Sequence, residues 1–131
     1  MNYREYNQAQ TDIFGLDINA KIPEHHLVRF VNDLIEKMDL SKLYAQYSYE
    51  GSPAYNPKMM LKIIVYAYIN GIYTCRKIAK AVRENINFMW LAGNNEPDFR
   101  TLNTFAWTRC KDILVDVFKT IVLEAAERGY L

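Results

Sequence analysis

Apolar positions recur at helical spacing along most of the chain, and polar residues mark where each run begins and ends. Residues 1 to 21 carry no sustained period. They predict an extended N-terminal arm whose Tyr3, Tyr6, Ile13, Phe14 and Leu16 are available to dock on a neighbouring surface. A helix is predicted from Pro23, a residue suited to a first helical turn. Its apolar positions Leu27, Phe30, Val31, Leu34, Ile35 and Met38 follow an i, i+3, i+4 series and define one buried stripe. Asp39 or Ser41 then caps a short helix carrying Leu43, Tyr44 and Tyr47. Ser48 to Asn56, with Gly51 and Pro53, reads as a loop. Pro57 opens a helix to about Asn70 that is apolar nearly all round, the pattern of a helix enclosed by others, and Gly71 is placed to end it.

Thr74 caps the next helix, Cys75 to Glu84. Ile78, Ala81 and Val82 share one side of it, and Arg76, Lys80 and Arg83 the other. Asn87 is placed to cap a short helix, Phe88 to Ala92, which Gly93 ends. Asp98 caps a long final helix with the stripe Phe99, Leu102, Ala106, Cys110, Ile113, Val117 and Ile121. Arg100, Thr101, Thr104, Thr108 and Lys111 lie on its other side. No segment shows strand alternation. The expected fold is all-α, a compact bundle of about six helices over residues 22–131, with a helix-turn-helix-like unit and a long C-terminal helix. Composition agrees. The chain has 131 residues, half of them apolar and 14% aromatic, with only 5 Gly and 4 Pro, which suits one packed domain and not a turn-rich β architecture.

The net charge of +1 conceals an uneven distribution. Residues 1–56 net −3, and residues 112–131 net −2. Residues 57–111 hold nine basic side chains against three acidic ones, a net of +6. Such a segment is the electrostatic footprint of a phosphate-contacting surface. The helix from Asp98 offers Arg100, Thr101, Asn103 and Thr104 at its N-terminal end, where recognition helices meet base edges. Arg76, Lys80 and Arg83 on the preceding helix are placed for backbone phosphates. A solvated helix face carries the same stripe, so charge pattern alone leaves both readings open.

Other chemistry is sparse. Cys75 and Cys110 form no CxxC pair and, with only His25 and His26, no zinc-ligand spacing, so they read as reduced thiols of a cytoplasmic protein. The adjacent histidines read as surface or capping residues. Asp112 and Asp116 share a helix face without a third ligand and read as solvated acids. The polar N-terminus is no signal peptide, and Met59 to Ile69 is shorter than the roughly 20 residues a membrane span needs. No nucleophile–base pair, phosphate loop or metal cluster is visible, so no catalytic residue, metal or small-molecule substrate is expected. Tyr66, Tyr68, Tyr73, Phe88 and Trp90 suit a stacking platform, but at helical positions they read mostly as core. Trp107, at the stripe's edge, has three open readings: core, dimer contact or wedge against DNA.

Five motifs occur in order between Asn56 and Phe105: Pro57-Lys58-Met59-Met60-Leu61-Lys62, Tyr66-Ala67-Tyr68, Arg76-Lys77-Ile78, Asn85-Ile86-Asn87-Phe88-Met89-Trp90-Leu91 and Pro97-Asp98-Phe99-Arg100-Thr101. Together with Ile22-Pro23-Glu24-His25-His26-Leu27, they closely resemble the N-terminal domain of DDE-type bacterial insertion-sequence transposases. The resemblance implies a helical domain that binds double-stranded DNA at transposon ends. The candidate DNA-binding residues are Arg76, Lys77, Lys80, Arg83, Arg100, Thr101, Asn103, Thr104, Arg109 and Lys111. It also implies a following RNase H-like catalytic domain with three acidic residues on two divalent metal ions. The chain stops at Leu131, where that domain would begin, so no catalysis and no cofactor are expected of these residues alone. Where the family usually carries Asn-Arg-Phe-Arg, this chain has Asn103, Thr104, Phe105 and Ala106, two basic side chains fewer, which lowers expected affinity. The alternative function is an inactive remnant, or an interaction module that forms a homodimer through helix Pro23–Leu40 and the Tyr47–Tyr55 loop.

Overall fold

Asn56 and Pro57 start the central helix by complementary means. The Asn56 side chain accepts the Met59 N–H at 3.2 Å, and Pro57 occupies a first-turn position that needs no donor. The computed structural model describes residues 2–9, 17–47 and 54–131. Among these residues it is all-α. The helices are α1 (Ile18–Lys21), α2 (Leu27–Lys37), α3 (Ser41–Tyr44), α4 (Pro57–Ile69), α5 (Cys75–Glu84), α6 (Ile86–Leu91), α7 (Phe99–Thr104), a π-helical turn (Phe105–Arg109) and α8 (Lys111–Glu127). No strand is present among the described residues. A parallel bridge pairs Tyr3 with Ala54.

Every residue of α4 from Met59 to Ala67 is buried, because α2, α5, α6 and α8 all pack around it. The all-round apolar pattern therefore has the meaning expected of it. Gly71 follows with φ +76°, the left-handed conformation that ends a helix. Of the predicted α2 stripe, Val31 and Ile35 are buried in the core, and Leu27, Phe30, Leu34 and Met38 are half-buried beside them. The docking positions Ile13, Phe14 and Leu16, and the loop residues Gly51 and Pro53, lie outside the described residues.

Four expectations change. α2 begins at Leu27 and not at Pro23, because the His26 imidazole Nδ1 accepts the Val28 N–H at 3.0 Å and sets the boundary there. α6 is capped by Asn85, whose side chain accepts the Asn87 N–H at 2.9 Å, so the helix starts one residue before the expected cap Asn87. The N-terminal stretch is not extended throughout, although Tyr6 docks as expected. Its residues 18–21 form α1, and Tyr6 donates its hydroxyl to the Leu91 carbonyl at 2.6 Å. Finally, the single long C-terminal helix is two helices. Between them the Cys110 N–H reaches the Phe105 carbonyl at 3.1 Å, five residues back, and the Thr108 hydroxyl donates to the Thr104 carbonyl at 2.5 Å. This wider turn buries both Phe105 and Ala106 and leaves Trp107 67% exposed, which removes the core reading of Trp107. With α1 and the divided last helix, the helices outnumber the six expected.

Candidate nucleic-acid interface

α5 and α7 pack side by side, each started by its own side-chain cap. Thr74 accepts the Lys77 N–H at 3.3 Å and Asp98 accepts the Thr101 N–H at 2.8 Å, both as the sequence predicts. The Thr101 hydrogen bonds hold the Asp98 carboxyl below its ordinary value, so the cap is ionised at neutral pH. Inward residues Ile78, Ala79, Val82 and Leu102 anchor the pair to the core, with Cys75, Ala81 and Phe99 half-buried against it.

Between the two helices lies an open cleft of about 540 Å³ lined by Thr74, Cys75, Arg76, Phe99, Arg100, Asn103 and Thr104. Four of the candidate residues thus meet: Arg76 from α5, and Arg100, Asn103 and Thr104 from α7. The Arg76 guanidinium lies 3.9 Å from the centre of the Phe99 ring, and that of Arg100 5.4 Å from it. A guanidinium drawn to an aromatic ring keeps its N–H donors available to a ligand. Among the described residues no carboxylate lines the cleft.

Lys77, Lys80 and Arg83 continue along α5 as exposed cations outside the cleft. Lys80 reaches Glu84 at 3.9 Å, an exposed pair of little strength. Lys111 is exposed at the start of α8. Arg109 is half-buried, donates to the Gln46 carbonyl and lies 4.6 Å from the centre of the Tyr47 ring.

Two basic residues of the positive segment leave the surface tally. Lys62 is fully buried, with its ammonium 2.5 Å from Glu36, 3.0 Å from the Tyr6 hydroxyl and 3.5 Å from Gln8. Lys58 pairs with the same carboxylate at 3.6 Å. The charge that faces solvent is therefore smaller than +6 and concentrated on α5 and α7.

A second open cleft, of about 380 Å³, also adjoins α7, and Arg100 and Thr104 border it as well, together with Thr101. Arg4, Tyr47, Tyr55 and Arg109 complete its polar and aromatic wall. Sequence reading missed Arg4 and the two tyrosines here. Arg4 arrives only because the N-terminal segment pairs with Ala54, its N–H bonding the Ala54 carbonyl at 2.7 Å. No local pattern announces that contact. Burial pushes the Tyr47 phenol up to about 12 against the opposing pull of Arg109, so it remains a neutral hydroxyl. Cys110 is likewise pushed up to about 12 by burial, and Cys75 is raised; both are free thiols.

Asp112 and Asp116 are exposed on α8. Among the described residues no helix is long and apolar enough to cross a membrane. Residues 16–106 match the family described as Transposase domain (DUF772), and this span covers the α5–α7 pair, its cleft and the buried Lys62. No curated protein and no solved structure matches the chain. By this match over most of its length, the chain belongs to the Transposase domain (DUF772) family.

Proposed function

We propose that the chain is a DNA-binding domain of a DDE-type insertion-sequence transposase and that it recognises duplex DNA at transposon ends. The observation that carries this reading is the meeting of Arg76, Arg100, Asn103 and Thr104 in one carboxylate-free cleft between two capped helices. Arg and Asn are the side chains best suited to the major-groove edges of guanine and adenine, and threonine contacts either. In this reading α7 offers Arg100, Thr101, Asn103 and Thr104 to base edges, in a helix-turn-helix-like manner. Arg76, Lys80 and Arg83 hold the phosphates of one strand, and Lys77, Arg109 and Lys111 extend the contact at its margins. The role in catalysis is none for these residues, and no divalent metal is assigned to them.

The test is a fluorescence-anisotropy titration with a duplex of about 25 base pairs covering the terminal repeat of the genetic element that carries this gene. Each phosphate contact contributes about 0.9 to the slope of log affinity against log salt. The double variant Arg76→Ala/Arg100→Ala is expected to bind less tightly and to flatten that slope. Absence of binding at low salt, or an unchanged affinity in the double variant, would overturn the reading.

A further inference from the structure

We infer that the 380 Å³ cleft beside α7, walled by Arg4, Tyr47, Tyr55, Arg100 and Arg109, receives an unpaired nucleotide of the bound DNA. The inference rests on the duplex-binding reading above and adds a second ligand chemistry next to it. Three guanidiniums line the cleft: Arg4 from the N-terminal segment, Arg100 from α7 and Arg109 from the π-helical turn that follows it. Among the described residues no carboxylate lines it, and none of the three arginines is ion-paired. Arg4 lies 4.6 Å from the centre of the Tyr55 ring and Arg109 4.6 Å from that of Tyr47. The floor is apolar, made by the buried Met60 and Phe105.

A solvated helix face needs none of these features, because cations facing only water gain nothing from an apolar floor. Duplex backbone does not need them either. It is a convex rod that cationic surfaces follow, and its bases stay in the stack. Cations for a phosphate beside rings and an apolar floor for a flat base are the combination by which proteins hold single-stranded nucleic acid. The size lies within the range of clefts that enclose small ligands. Arg100 and Thr104 border both clefts, so a strand leaving the duplex at α7 would enter this one directly.

The test compares three labelled DNAs by fluorescence anisotropy: the blunt terminal-repeat duplex, and the same duplex with a tail of three thymidines on a 3′ or a 5′ end. At least one tailed duplex is expected to bind about tenfold more tightly than the blunt one, the gain given by stacking one base. Arg4→Ala and Tyr55→Leu are each expected to abolish that gain while blunt-duplex affinity stays within about twofold. Circular dichroism checks that both variants keep their helices. Equal affinity for all three DNAs overturns this inference and leaves the duplex reading standing. A gain that survives both variants also overturns it, since the tail is then held elsewhere. Failure to bind even the blunt duplex overturns the duplex reading, and this inference with it.

Discussion

Lys62 is a cation in a position where the helical pattern asks for an apolar residue, and its surroundings explain how it is kept. Its stem runs through the core, while its ammonium meets Glu36, Tyr6 and Gln8 at one point. Burial lowers the Lys62 pKa and Glu36 pulls it back only in part. Burial acts to raise Glu36, but Lys62 and Lys58 outweigh it and leave the carboxyl below its ordinary 4.5. The partners differ in one respect that decides the outcome of mutation: Lys62 is fully enclosed, whereas the Glu36 side chain is 43% exposed. Glu36→Gln strands a buried charge and is expected to cost about 3 kcal/mol in urea unfolding. Lys62→Met leaves a carboxylate that water can solvate and is expected to stay within about 1 kcal/mol of the parent. Because its pKa is depressed, the Glu36 contribution is present above pH 4.5 and is lost as pH falls through the folded value. An acid-unfolding series of Glu36→Gln should lack that component of the slope. Lys62 adds a second window below 10.5, in which stability rises with pH, and Lys62→Met should remove it.

At the scale of elements, start signals are legible in the sequence where the residue just before the first turn accepts an N–H three residues on, as Thr74 and Asp98 do. The two-residue reach of His26 and Asn85 carried no such signal. Asp98→Ala is expected to lower stability by about 1 kcal/mol and to weaken duplex binding, because the first turn of α7 carries Arg100 and Thr101. Thermal denaturation and the anisotropy titration read the two effects separately. The π-helical turn was not legible. Leu102, Ala106 and Cys110 are spaced four apart, which an ordinary helix buries equally well. Only the packing of Phe105 against the core selects the wider turn that expels Trp107. Quenching by acrylamide should therefore reach Trp107 readily and Trp90, which is 6% exposed, poorly; Trp107→Phe should leave a blue-shifted, protected emission.

For the whole molecule, the N-terminal segment acts as a strap across the bundle. Tyr6 bonds Leu91, Asn95 bonds the Glu5 carbonyl at 3.0 Å, and Gly93 approaches so closely that a Cβ there would stand 2.9 Å from the Tyr6 ring and 3.1 Å from the Asn7 carbonyl oxygen. Gly93 also holds φ +54°, so Gly93→Ala combines backbone strain with a clash and is expected to cost about 2 kcal/mol or more. Removing residues 1–9 should lower the melting temperature further, because it uncovers Lys62 and strips two of its partners. The sequence by itself determined the all-α class, the enclosed α4, the caps of α5 and α7 and the concentration of positive charge. All of these follow from spacing and from side chains acting on their own backbone a few residues away. The tertiary structure alone decided which cations remain at the surface, where Arg4 and the tyrosines gather, and that α7 is bordered by two clefts. Those outcomes depend on contacts between residues as far apart as Tyr6 and Leu91, and a local pattern carries no record of which distant segment will fill its neighbouring space.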